Sequence, residues 1–275
     1  MELPEELLFE KQDGVAILTL NRPEKFNALN PNLRDGIGRV CREVSRDDEV
    51  RVMIITGAGK AFCSGADLST RLKDKDQASG AILAASGAET AETRRSITEP
   101  IGHYSLAIRG LEKPVIAAVN GVASGGGLGI VLACDIRVAS DKARFSAIWV
   151  RRGLVPDAGA SYFLPRIVGF AKACELIFRG HIINADEAAQ MGMVNLVVPH
   201  DELMARTKEL AAQIAQNAPI ALEWAKKILS KALNNDLESQ LYLETAAQRI
   251  CNQSEDFKEG IRSFMEKRPA VFKGK

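Results

Sequence analysis

The apolar positions of this chain follow two rhythms. Val15-Ala16-Ile17-Leu18-Thr19-Leu20 is a nearly continuous apolar run, opened by Gly14 and closed by Asn21-Arg22-Pro23. A run of this length with turn residues at both ends predicts a buried strand. Residues 51–56, 115–119 and 135–139 predict three more. Between the strands the period changes. Leu33, Ile37, Val40, Cys41 and Val44 recur on one helical face behind Asn30-Pro31. Asn is a good N-cap and Pro suits the first helical position, so a helix starts there. A polar loop and a helical stretch fill about 69–109. The glycines at 125–127 lead into a helix over 128–133. Strands alternate with helices to about residue 200, which predicts an α/β core. After Pro199 the pattern is helical throughout, over 201–215, 219–233, 237–251 and 254–268. The chain thus divides into a core, 1–199, and a C-terminal helical region, 200–275.

Composition narrows the classes. The chain has 275 residues, 46% of them apolar and 26% charged, with a formal net charge of +1. Such a balance gives no electrostatic footprint for nucleic acid or for an anionic membrane surface. The longest apolar run, 114–134, is interrupted by five glycines, Asn120 and Ser124. It reads as strand, turn and helix rather than a membrane span. The five cysteines are scattered, without a C-x-x-C pair, and the three histidines have no metal-ligand spacing. No metal site and no disulfide framework are expected. The acidic N-terminus has no signal-peptide pattern, so the expected location is the cytoplasm.

Several glycine motifs fail. Gly125-Gly126-Gly127-Leu128-Gly129 stands between a strand and a helix, yet no reading of it gives G-x-G-x-x-G. Gly57-Ala58-Gly59-Lys60 is not a P-loop, and Ser124 is not in a G-x-S-x-G elbow. Two glycine-rich junctions remain. One is Lys60-Ala61-Phe62-Cys63-Ser64-Gly65-Ala66-Asp67-Leu68. The other runs from Lys113-Pro114 through Asn120-Gly121 and Gly125-Gly126-Gly127 to Cys134-Asp135. Small residues let a ligand approach the backbone. The second junction opens a helix, whose first amides are unpaired and carry the positive end of the dipole. Two amides converging on one oxygen would make an oxyanion hole.

Taken together the junctions resemble those of the crotonase family, the enoyl-CoA hydratases and isomerases. The resemblance begins at Leu20-Asn21-Arg22-Pro23-Glu24-Lys25-Phe26-Asn27-Ala28-Leu29. It continues through Gly153-Leu154-Val155-Pro156-Asp157 and Ala188-Ala189-Gln190-Met191-Gly192-Met193-Val194 to 259–268. It implies a spiral of ββα units with C-terminal helices that build homotrimers or homohexamers. It implies an acyl-CoA thioester as substrate, with no cofactor beyond the coenzyme A of that substrate. Matched by motif, the oxyanion amides are those of Ala66 and Gly126. Lys25 and Ala28, with Ser64, Asp67 and Leu68, would hold the coenzyme A. Asp67 reads equally well as a helix cap.

The resemblance also marks a departure. Hydratases of the family carry two glutamates where this chain has Gly129 and Trp149. Without a carboxylate at either place the usual means of adding water is missing. One carboxylate stands nearby, Asp157, in a Pro-Asp-x-Gly context similar to that of enoyl-CoA isomerases. A double-bond isomerase needs a single proton carrier, and an apolar pocket makes a carboxylate a stronger base. Trp149 would form an apolar wall beside it. The expected activity is therefore enoyl-CoA isomerisation. Three alternatives stay open. The Trp149 and Asp157 pair also resembles that of 4-chlorobenzoyl-CoA dehalogenases, in which the aspartate is a nucleophile and a histidine activates water; His103 lies near that histidine's place. A hydratase with other acid and base groups, and an inactive acyl-CoA binder, are the remaining two.

Overall fold

The computed structural model describes residues 3–67 and 100–275. In chain order its elements are β1 (Leu7–Gln12), β2 (Val15–Leu20), α1 (Pro31–Arg46), β3 (Val52–Gly57), β4 (Ala61–Cys63), α2 (His103–Gly110), β5 (Val115–Val119), β6 (Val122–Ser124), α3 (Gly126–Ala133), β7 (Ile136–Ser140) and β8 (Arg144–Ser146). They continue with α4 (Ala160–Val168), α5 (Phe170–Arg179), β9 (Ile182–Asn184), α6 (Ala185–Gln190), β10 (Leu196–Val198), α7 (Leu203–Ala215), α8 (Pro219–Lys231), α9 (Leu237–Asn252) and α10 (Glu255–Glu266).

The strands form two sheets, one ordered β1-β2-β3-β5-β7-β10 and the other β4-β6-β8-β9. Successive strand pairs split between them: β3 and β4, β5 and β6, β7 and β8. Each turn of chain therefore adds one strand to each sheet, which is the expected spiral of ββα units. Within the spiral the pairing is parallel. Alternate side chains of β2, β3 and β5 enter two different cores. Leu18, Met53, Ile55 and Ala117 join α1, α2, α3 and the smaller sheet. Ile17, Ile54 and Ile116 pack under α7. Strands covered on both faces read as continuous apolar runs rather than as an alternation, and these do. The first helix beyond residue 199 is thus a layer of the main sheet.

Differences from the sequence reading have local causes. The helix after the glycines starts at Gly126 rather than Leu128, because Gly126 and Gly127 are themselves its first residues. Gly127 is required there, since a Cβ at that position would lie 2.1 Å from the Cys63 carbonyl oxygen. The strands β4, β6, β8, β9 and β10 have three residues each, too few to show a period. β1 is mostly exposed, and its charged residues hid it. Of the helical stretch expected over 69–109, the part within the described residues contains α2.

Candidate active site

β4 and β6 are parallel neighbours, so the chain leaves both at the same end of the small sheet. That topology sets the two glycine junctions side by side. Residues 64–67 follow β4, and Gly125 and Gly126 follow β6. A Cβ on Gly65 would lie 2.8 Å from the Ser124 carbonyl oxygen and 3.5 Å from the Gly126 nitrogen. Gly65 has φ +99°, a value that favours glycine. The Leu29 amide binds the Gly65 carbonyl and the Asp67 amide binds the Leu29 carbonyl, a one-residue bridge that leaves the Ala66 amide between them unused. Gly126 is the first residue of α3, so its amide has no carbonyl within the helix. Among the described residues neither the Ala66 nor the Gly126 amide is donated to another group.

Two asparagines of the family-like motifs serve this scaffold. The buried Asn27 side chain donates to the Ala58 and Ala61 carbonyls and accepts from the Arg22 amide. The Asn120 side chain donates to the Gly59 and Ala61 carbonyls and accepts from the Gly57 amide. They pin the turn that feeds β4 from both sides.

A cavity of about 360 Å³ opens at the paired junctions. Ser64, Ala66, Gly126, Trp149 and Asp157 line it together, so the structure unites five of the nine predicted site residues. Asp157 stands at the start of a turn closed by the Ala160 amide on the Asp157 carbonyl at 2.9 Å. The central residues Ala158 and Gly159 have φ +52° and +78°. Positive φ at both central positions marks a type I′ turn. Among the described residues Asp157 is the one carboxylate lining the cavity, and Arg34, Arg144 and Arg152 line it too.

Trp149 differs from its expected part. It is buried in a 3₁₀ turn over Ile148–Arg152, and its indole Nε1 donates to Asp157 Oδ1 at 2.7 Å. It presents a polar edge to the carboxylate rather than a bare apolar wall. This bond orients the carboxylate and leaves Oδ2 for other partners.

The other predicted residues lie elsewhere. Lys25 ends an exposed 3₁₀ turn and Ala28 is buried; neither lines the cavity. The Asp67 carboxylate accepts from the Arg22 guanidinium at 3.0 Å, with both side chains largely buried. Leu68 is outside the described residues. His103 does not line the cavity: its Nε2 is 3.3 Å from Asp35 of α1. The histidine that suggested dehalogenase chemistry thus contacts Asp35 rather than the cavity. Among the described residues no cluster of His, Cys, Asp or Glu is grouped to hold a metal ion, and no helix is long and apolar enough to cross a membrane.

Gly129, where hydratases carry a glutamate, faces the Asp157 turn directly. A Cβ there would lie 2.6 Å from the Ala158 Cβ and 2.8 Å from its carbonyl oxygen. The space for a side chain at 129 is filled by the loop that delivers Asp157. Sequence reasoning missed Tyr104, whose ring is buried and whose edge reaches the cavity. Within α2 it looks like an ordinary core aromatic.

The profile of the Enoyl-CoA hydratase/isomerase family matches residues 10–275. The chain is 40% identical to a short-chain-enoyl-CoA hydratase of Clostridium acetobutylicum, over 95% of each chain. It is 34% identical to a 1,2-epoxyphenylacetyl-CoA isomerase of Escherichia coli, over 98% of each. The crystal structure of an enoyl-CoA hydratase from Bacillus anthracis superimposes with a TM-score of 0.87 at 34% identity, covering 98% of this chain and 100% of that one.

Proposed function

The chain belongs to the enoyl-CoA hydratase/isomerase family of acyl-CoA-processing enzymes, and on that premise we propose that it shifts a carbon–carbon double bond in an enoyl-CoA with Asp157 as the proton carrier. The observation that carries this reading is the composition of the cavity. Asp157 is the one carboxylate among its described lining residues, and it shares that cavity with Ala66 and Gly126. The thioester oxygen accepts hydrogen bonds from those two amides. In a 3-enoyl-CoA the C2 proton is acidified by the thioester and by the adjacent double bond. Asp157 takes that proton, the C–H electron pair forms a C1–C2 double bond as the carbonyl pair moves onto the thioester oxygen, and the amides hold the charge of the resulting dienolate. The same carboxyl, whose proton exchanges with solvent, protonates C4, which leaves the double bond between C2 and C3. No cofactor is needed beyond the coenzyme A of the substrate. Ser64, with Lys25, Ala28, Asp67 and Leu68, holds the coenzyme A moiety in this reading.

The relative named as a 1,2-epoxyphenylacetyl-CoA isomerase is in keeping with isomerase chemistry. The relative named as a hydratase argues the other way, but Gly129 and Trp149 leave this chain without the two carboxylates that water addition uses. A second reading draws on the Trp149–Asp157 hydrogen bond. An aspartate held by an indole is placed to attack an aromatic carbon, as in the dehalogenases. His103, the candidate for activating water, faces Asp35 instead.

The test is incubation of 3-enoyl-CoA and 4-halobenzoyl-CoA in deuterated water with the wild type and with Asp157→Asn, followed by mass spectrometry. The expected result is isomerisation with deuterium uptake and no protein adduct, reduced roughly 10²–10⁴-fold in the variant. Halide release with a trapped aryl-enzyme would replace this reading by the nucleophilic one. Unchanged isomerisation in Asp157→Asn would remove Asp157 from the reaction.

A further inference from the structure

Tyr104 is the second residue of α2, and its side chain is 3% exposed. Its ring is held in the core among residues that include Leu29 and Cys63. Its hydroxyl comes to the peptide that opens α3: a methyl group at Gly126 would lie 2.7 Å from the phenol oxygen. The residue lines the cavity with Ala66, Gly126 and Asp157. Among the described residues the hydroxyl has no hydrogen-bond partner. It is not among the fully enclosed polar atoms that lack a partner, so it is open to the cavity that Tyr104 lines and is free to donate into it.

The protonation state follows from the surroundings. Burial pushes the phenol well above its ordinary range, with the charges of Cys63 and Asp157 adding and Arg34 opposing. At neutral pH the group therefore keeps its proton and acts as a donor rather than a base. At the Gly126 peptide, which the hydroxyl approaches, the proposed thioester oxygen would supply an acceptor. A neutral phenol is well suited to hold an enolate, because the charge forms only as the reaction proceeds and the donor is already in place.

We infer that the Tyr104 hydroxyl is a third hydrogen-bond donor to the thioester oxygen, beside the amides of Ala66 and Gly126. This rests on the acyl-CoA and enolate reading given above. The donor contributes more to the enolate than to the ground-state thioester, because its acceptor gains charge. It also sets it apart from a tyrosine that only fills space, for which phenylalanine would be an equal replacement.

The experiment compares wild type, Tyr104→Phe and Asp157→Asn with two ligands. The first is 4-(dimethylamino)cinnamoyl-CoA, whose absorption moves to the red when hydrogen bonds polarise its thioester carbonyl. The second is a 3-enoyl-CoA, followed by steady-state kinetics. The expected result is that Tyr104→Phe binds the chromophore with little change in affinity but with a smaller red shift. Its kcat falls roughly 10²–10³-fold, the range for removal of one oxyanion donor, while KM changes little. Binding by the variant certifies its fold. A red shift and kcat equal to those of the wild type would overturn the inference. If the wild type neither binds nor shifts the chromophore, the acyl-CoA reading fails and Tyr104 fails with it. If the wild type shifts the chromophore but does not isomerise, only the double-bond reading fails, and the comparison of shifts still decides Tyr104.

Discussion

At the scale of single residues, the contact between Gly129 and Ala158 explains more than the absence of a glutamate. Ala158 is an alanine with φ +52°, a conformation that costs an L-residue about 1–2 kcal/mol. It is 1% exposed and is wedged between two glycines. A Cβ at Gly102 would lie 2.4 Å from the Ala158 Cα, and one at Gly129 would lie 2.6 Å from the Ala158 Cβ. The turn that carries Asp157 is seated in the room those two glycines leave. Gly129 and Asp157 are thus linked sterically: a large side chain at 129 and the present turn exclude each other. Restoring the hydratase carboxylates by Gly129→Glu with Trp149→Glu is therefore expected to fail as a conversion. Overpacking of this kind costs about 1–3 kcal/mol, or about 2–12 °C in Tm for a chain of this size. Thermal melting should show that loss, and crotonyl-CoA hydration should stay low in both wild type and double variant. A stable double variant with brisk hydration would show that the turn moves aside freely.

At the scale of elements, two ion pairs of different kinds tie segments together. Near the site, Arg22 donates to the Ala28 carbonyl at 2.6 Å and to Asp67 at 3.0 Å. It links the segment before α1 to the segment that presents the Ala66 amide. At the other end, Arg268 makes a two-pronged contact with Glu259 of α10, and the Val271 amide donates to the same carboxylate. The Arg268 guanidinium, with the Val271 amide adding, holds the Glu259 carboxyl down at about 2, against an ordinary 4.5. A carboxyl depressed in the folded state stabilises it above pH 4.5, and that contribution is lost as the pH falls from there toward about 2. The C-terminal tail should therefore loosen in this acid window. Hydrogen exchange of residues 269–275, corrected for intrinsic rates, should rise on acidification in the wild type. In Glu259→Gln it should already be raised at neutral pH. Equal protection in both proteins at neutral pH would mean that the remaining contacts hold the tail, among them Asp256 on the Lys273 and Gly274 amides and Arg51 on the Phe272 carbonyl.

At the scale of the whole molecule, the C-terminal helices present apolar side chains outward. Leu229, Leu233, Leu237, Tyr242, Phe264 and Met265 are each at least 70% exposed. A soluble monomer rarely exposes so many large apolar groups, and such exposure suits association. Copies of the same chain are the proposed partners, as a homotrimer or a homohexamer. Light scattering should give a mass three or six times 29.8 kDa, and Leu233→Asp with Phe264→Asp should lower it toward one. A wild-type protein that stays monomeric would contradict this.

What the linear pattern determined on its own was an α/β core followed by helices, with two glycine-rich junctions inside the core. Long strands buried on both faces have to be apolar throughout, and long helices with one buried face have to repeat their apolar positions, so Val15–Leu20, Val115–Val119 and the helices after residue 199 were legible. The glycine junctions were legible because close backbone approach leaves glycine almost no substitute, and Gly127 against the Cys63 carbonyl is an instance. The missing glutamates at 129 and 149 were visible as plain letters. What only the tertiary structure decided was which side chains meet. Trp149 and Asp157 are eight residues apart, and nothing in that spacing says that an indole N–H ends on a carboxylate oxygen. His103 and Tyr104 are neighbours in sequence, yet one faces Asp35 and the other lines the cavity. A helix turns by about 100° per residue, so adjacent side chains look in different directions, and only the packing of α2 against α1 and α3 selects the one that reaches the site.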